Sequence, residues 1–140
     1  MTLFNKCKYL PESIESILGQ TYSNFGLIAM DNASTDQTET IMKSYMGKDS
    51  RINYTKNPSN IGLIENWRKA FVTALKLYPK MQYFAWASDH DIWDKNWLSK
   101  HVNALNSNQN ASLAYPIIVP INEKGNKISV KLPSYQNAHM

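Results

Sequence analysis

The 140-residue sequence predicts an α/β fold, a mostly parallel sheet flanked by helices. Two observations carry that expectation. Segments with helix-period apolar spacing alternate along the chain with short strand-like runs, the pattern of βαβ units. Two of those runs, Phe25–Met30 and Gln82–Ala87, are near-continuous apolar stretches, the composition of strands buried on both faces. Each ends in acidic, turn-rich sequence, at Asp31 and at Asp89. Ligands of open parallel sheets bind beyond the carboxyl ends of the strands, so both acidic ends are candidate site positions.

The elements follow in order. Pro11 suits a first helical turn, and Ile14, Ile17 and Leu18 follow at helix spacing, which predicts an amphipathic helix over roughly 11–20. Gln20 to Asn24 is a polar break before the strand at 25–30. Ser34 and Gln37 form a capping-box pair ahead of Ile41, Met42, Tyr45 and Met46, so a second helix is expected to start at Ser34. Arg51–Thr55 alternates like a short strand, and Asn57–Gly62 is a loop by composition. A third helix carries Trp67, Ala70, Phe71, Ala74 and Leu75 and is closed by Pro79. Beyond the strand at 82–87, the pattern predicts a helix over Trp97–Leu105, a strand over Leu113–Val119 and a hairpin arm over Lys127–Leu132.

Composition narrows the function classes. With 43% apolar and 19% charged residues the chain is an ordinary globular one, sized for one domain. Its eight Tyr and four Trp suit either core filling or stacking against rings. The net charge of +4 comes from scattered Lys and Arg, which fits anionic ligands or an anionic surface and speaks against a nucleic-acid stripe. A single cysteine, Cys7, excludes an intrachain disulfide and fits a reducing compartment. No apolar run reaches the roughly 20 residues that span a bilayer. The expected location is the cytoplasm.

Three constellations bear chemistry. Asp31-Asn32-Ala33-Ser34-Thr35-Asp36 puts short polar side chains at a strand end, where they serve either a ligand or local capping. Ser88-Asp89-His90-Asp91 places two carboxylates two residues apart after an apolar run. Such a pair either holds a hard cation such as Mg²⁺ or Mn²⁺ or simply forms a turn. His90 is expected to point away from such a cation. Asn60-Ile61-Gly62 with Asn66, Trp67 and Arg68 either brings backbone close to a ligand or is an ordinary loop and helix.

Taken together the motifs become specific. The segment Tyr9-Leu10-Pro11-Glu12-Ser13-Ile14-Glu15-Ser16-Ile17-Leu18-Gly19-Gln20-Thr21-Tyr22 comes first, followed by Asp31–Asp36 and Asp49-Ser50-Arg51-Ile52. Asn60-Ile61-Gly62 and the Asp-His-Asp turn come after them. In this order they resemble the GT-A (Rossmann-like) domain of family 2 glycosyltransferases, from about residue 4 to about residue 118.

The resemblance implies a single partial nucleotide-sugar-binding domain over 1–140, truncated at both ends relative to the family. It implies transfer of a sugar from a nucleoside diphosphate donor, UDP-linked by expectation, to a glycan or lipid-linked polysaccharide acceptor, with inversion. Asp31 would contact the base. Phe4 and Asn5 stand where the family has a Tyr-Asn pair lining the nucleoside pocket. Asn32, Asn60, Gly62, Asn66 and Asp89 would complete the donor site. Asp91 with Asp89 would hold Mn²⁺ or Mg²⁺ on the diphosphate.

Two departures from the family bear on this expectation. The first strand is reduced to Met1-Thr2-Leu3, which would expose its neighbours on both sides. After Pro116 the only acid is Glu123, so no catalytic residue is assigned. The alternative is a nucleotide-sugar and metal-binding module without turnover. A metal-dependent phosphohydrolase is a third reading, and the dispersed His90, His101 and His139 speak against it. Peripheral association with the inner face of a membrane is a further expectation from the family.

Overall fold

The structure, a computed structural model, describes residues 1–129. Its elements are β1 (Thr2–Leu3), α1 (Leu10–Leu18), β2 (Leu27–Asp31), α2 (Thr38–Met46), β3 (Ile52–Lys56), α3 (Leu63–Leu77) and α4 (Trp97–Ser107). The three strands form one parallel sheet in the order β1-β2-β3, with Thr2 opposite Met30 and Leu27 opposite Ile52. The predicted fold class therefore stands. Among the described residues, no helix is long and apolar enough to cross a membrane.

Period-2 alternation in β2 divides the core. Leu27 and Ala29 join Leu3, Leu10, Ile14, Ile17, Met42 and Ile52 on the face covered by α1 and α2. α3 packs across β2 and β1 and buries Ala70 and Ala74. Small residues at those two positions let the helix lie close to the sheet. Arg51 fastens the far side of α1. It pairs with Asp49 at 2.7 Å, donates to the Leu18 carbonyl at 3.1 Å and lies 4.5 Å over the Phe25 ring. The guanidinium holds the Asp49 carboxyl down to about 2. At Gly26 a Cβ would collide with the Tyr78 hydroxyl, which accepts a hydrogen bond from Asn53.

Several expectations need correction. α2 starts at Thr38, not at Ser34: the Ser34 hydroxyl accepts from the Asn5 N–H instead of capping a helix, and Asp36 Oδ1 accepts from the Thr38 N–H. Phe71 and Leu75, expected on the packed side of α3, are 37% and 46% exposed.

The first strand is not lost. Met1–Leu3 lies in the sheet, with the Met30 and Asn32 N–H groups donating to Met1 and Leu3 carbonyls at 3.0 and 2.9 Å. Residues 82–87 form no strand, and only Ala87 is buried. The physical reason is the length of β1. It offers one backbone contact to this segment, Thr2 N–H to Ala87 carbonyl at 3.4 Å, and a strand needs a ladder. Residues 113–119 likewise form no strand, and Tyr115 and Ile117 are more than four-fifths exposed. The hairpin at 127–132 is seen as an antiparallel bridge between Ile121 and Lys127 and an Ile128 N–H to Pro120 carbonyl bond at 2.9 Å, and residues 130–132 lie outside the described residues.

Candidate functional site

Along the carboxyl edge of the sheet the loop after β1 bonds to the turn at 88–91 and to the loop after β2, which in turn bonds to the loop after β3. The Phe4 N–H donates to Asp89 Oδ2 at 2.9 Å, across 85 residues of sequence. The Asn5 N–H donates to the Ser34 hydroxyl at 3.1 Å, and Asn5 Oδ1 accepts from the Thr35 N–H at 2.9 Å. The Cys7 N–H donates to Asp36 Oδ2 at 2.9 Å. Asn5 and Ala33 hold left-handed backbone, φ 52° and 62°, which turns both loops sharply at their junction.

Asp31 closes β2 and is fully buried. Its Oδ1 accepts from the Ser34 N–H at 2.8 Å, and its Oδ2 accepts from the Tyr54 hydroxyl at 2.7 Å. Burial first, and then this bond to a carboxylate, push the Tyr54 hydroxyl well above its ordinary value. In this conformation both Asp31 oxygens are engaged and none faces solvent.

Asn32, Asn60, Gly62 and Asn66 gather into one amide network. Asn32 Nδ2 donates to Asn60 Oδ1 at 2.8 Å and to the Gly62 carbonyl at 3.3 Å, while its Oδ1 accepts from the Ile61 N–H at 2.9 Å. Asn57, buried at its centre, donates to Asn66 Oδ1 at 2.8 Å and accepts from Lys69 Nζ at 2.7 Å. Asn66 Nδ2 donates to the Met30 carbonyl at 3.1 Å and so pins α3 to β2. Gly62, at φ 83°, supplies the left-handed turn into α3. These four predicted residues are together: Asn32, Asn60 and Gly62 bond to one another, and Asn66 joins them through Asn57, which also donates to Asn32 Oδ1.

At the acidic turn the two carboxylates differ. Asp89 is 7% exposed, with Oδ2 on the Phe4 N–H and Oδ1 accepting from His90 Nδ1–H at 2.7 Å. His90 also contacts the Ser88 hydroxyl and is itself exposed. Asp91 is exposed and enters no hydrogen bond or ion pair among the described residues. Among those residues no three Asp, Glu, His or Cys side chains form a ready metal cluster. Phe4 presents a ring that is 44% exposed at the same edge.

The turn is held from below by α1. Ser13 donates to the Ser88 carbonyl at 3.0 Å, and the Ser16 hydroxyl accepts from the Trp93 N–H at 3.0 Å. Gln20 donates to the Asp94 carbonyl at 2.8 Å and accepts from the Leu98 N–H at 2.8 Å. The residue-level reading gave none of these a role. Their signal was polar side chains at helix spacing among Ile14, Ile17 and Leu18, partly or fully buried where a solvated face was the simpler reading. Tyr54, Asn57 and Lys69 were missed as well, since nothing local marks them.

Comparison with known proteins shows the family and the fold. A family model described as Glycosyl transferase family 2 matches residues 1–138. An uncharacterized glycosyltransferase of Methanocaldococcus jannaschii is 35% identical over 120 residues, covering 85% of this chain and 40% of that protein. An uncharacterized glycosyltransferase of Rickettsia typhi is 32% identical over 108 residues, 77% of this chain and 31% of that one. The putative teichuronic acid biosynthesis glycosyltransferase TuaG of Bacillus subtilis is 28% identical over 102 residues, 73% of this chain and 38% of that one. The chain thus spans well under half the length of these relatives.

Among solved structures, S. aureus TarS superposes with a TM-score of 0.66 at 21% identity, over 76% of this chain and 18% of that one. TarS 1-349 in complex with UDP matches with the same score and identity, over 30% of its length. Both are likenesses of fold.

Proposed function

The chain belongs to glycosyl transferase family 2, and from that membership we propose that it binds a nucleoside diphosphate sugar and passes the sugar, with inversion, to a glycan or polysaccharide hydroxyl. The observation that carries the reading is the Phe4–Asp89 bond. It locks the loop after β1 to the acidic turn, at the sheet edge where α/β sheets bind ligands. Residues of about 4–118 form the donor-binding core.

The residues have separate roles. The exposed Phe4 ring offers a face to a base or ribose, and Asn5 with Asp31 and Ser34 shapes the loop beside it. Each Asp31 oxygen keeps a second acceptor direction, and a base N–H reaches Oδ2 only if the Tyr54 hydroxyl moves aside. The Asn32–Asn57–Asn60–Asn66 network holds the 57–62 loop in place. UDP in the TarS complex belongs to TarS, and it supports a uridine-linked donor here only through the shared fold.

The donor chemistry at the turn fits a hard cation when the substrate supplies most of the oxygens, as Mg²⁺ sites built on one or two carboxylates and phosphates do. Asp91, with no partner among the described residues, would bind Mn²⁺ or Mg²⁺, and Asp89, already engaged, would anchor the turn behind it. Bound there, the cation would offset charge on the departing diphosphate. A glycan acceptor and association with a membrane surface complete the proposal, and no described residue is assigned as the catalytic base.

A thermal-shift series with UDP, GDP and their sugars, with and without Mn²⁺, tests this. A ligand at about 100 times its Kd stabilises by roughly 2.7 kcal/mol, a rise of several degrees. The expected result is a metal-dependent rise with a uridine nucleotide that is lost in Asp91→Ala. A melt indifferent to every nucleotide and metal would overturn the proposal. Binding without hydrolysis or transfer would favour the module without turnover.

A further inference from the structure

Asp31 is a fully buried carboxylate that is short of hydrogen-bond donors. Among the described residues its side chain accepts two bonds, one per oxygen, from the Ser34 N–H and the Tyr54 hydroxyl. A carboxylate has about four acceptor directions, so half of them are unused. Among the described residues it also enters no ion pair. Lys56 stands opposite it in the β2–β3 register, but its ammonium goes to Glu39 at 2.8 Å. A buried charge with so few partners favours any further N–H that reaches it.

The two donors differ in how firmly they are held. The Ser34 N–H is loop backbone, fixed by the left-handed turn at Ala33, φ 62°, and by the bond between the Ser34 hydroxyl and Asn5. The Tyr54 hydroxyl is the tip of a half-buried side chain at the margin of the core. Its strand, β3, has a neighbouring strand on one side only among the described residues. Rotation about side-chain bonds alone withdraws the hydroxyl, whereas the Ser34 N–H leaves only if the loop is remade.

We infer that the Tyr54 hydroxyl is a latch on Asp31: it holds Oδ2 in the free protein, and a nucleotide base bearing a ring N–H displaces it and takes its place. The inference rests on the proposed donor reading and adds a residue that decides which bases are accepted. Uracil and guanine carry such an N–H. A base whose ring nitrogen carries no hydrogen would leave the buried Oδ2 without a donor once the latch moved.

A latch has a signature that a brace lacks. Binding must first break the 2.7 Å bond, so the same hydroxyl stabilises the free protein and weakens its hold on the nucleotide. Removing a residue that merely braces the pocket would weaken both.

The test is calorimetric titration of the whole chain and of Tyr54→Phe with UDP, GDP and their ring-N-methylated analogues, in Mn²⁺. Tyr54→Phe should bind the accepted nucleotide about tenfold more tightly than the parent protein, although it melts lower. That gain should vanish with the N-methylated analogue. Binding that is unchanged or weaker in Tyr54→Phe overturns the latch and leaves the donor reading standing. No binding of either nucleotide by either protein removes the donor reading, and the latch with it. If the variant does not fold, NMR of the parent protein with ring-labelled tyrosine decides. Saturating nucleotide should shift the Tyr54 Cζ resonance, and a resonance that stays in place overturns the inference.

Discussion

The backbone N–H of Phe4 donates to Oδ2 of Asp89 at 2.9 Å, so the end of a two-residue strand and a turn 85 residues away are set by one bond. The acceptor is a nearly buried carboxylate whose other oxygen is held by His90. Asp89→Ala would leave a part-buried donor unpaired and is expected to cost about 1–3 kcal/mol in urea unfolding. Asp89→Asn keeps an acceptor oxygen and should cost less than half as much. Equal midpoints for Asp89→Ala and the parent protein would refute this anchoring role.

Asp91 should behave differently. It is exposed and engaged with nothing among the described residues, so Asp91→Ala is expected to change stability by under about 0.5 kcal/mol. Under the proposed function its effect is expected to fall on the metal-dependent part of nucleotide binding. Loss of stability in the absence of ligand would contradict that division of labour.

Tyr54→Phe removes the donor to a fully buried Asp31 oxygen. The expected cost is about 1.5–3 kcal/mol, the range for hydrogen bonds to charged groups, since nothing replaces the hydroxyl. Chemical denaturation measures it directly, and an unchanged midpoint would show that Asp31 does not depend on this partner.

Asn66→Ala breaks two buried hydrogen bonds, to Asn57 and to the Met30 carbonyl, and leaves a space where α3 meets β2. A loss of about 2–4 kcal/mol is expected. Lys69→Met is the milder comparison, because Asn57 keeps its bonds to Asn32 and Asn66.

The Asp49 carboxyl acts at the acid end. Its pKa is lowered to about 2 by Arg51, so its contribution is full above its ordinary value of 3.8 and is lost as pH falls toward 2. Arg51→Lys, which cannot reproduce the fork on Asp49 and Leu18, should shrink that acid limb.

The sequence by itself determined the order and kind of most elements. Leu27–Asp31, α1 and α4 follow from local periodicity and turn chemistry, which act over a few residues. The acidic strand end at Asp31 and the acidic turn at Asp89 were legible for the same reason, as abrupt polarity changes after apolar runs. What became of those side chains depended on partners far along the chain. Asp31 is sealed by Tyr54, Asp89 is bound to Phe4, and the acidic turn rests on Ser13, Ser16 and Gln20. Tertiary structure likewise decided that Tyr83–Trp86, strand-like in composition, forms no strand: a strand needs a neighbouring backbone, and β1 reaches only as far as Ala87.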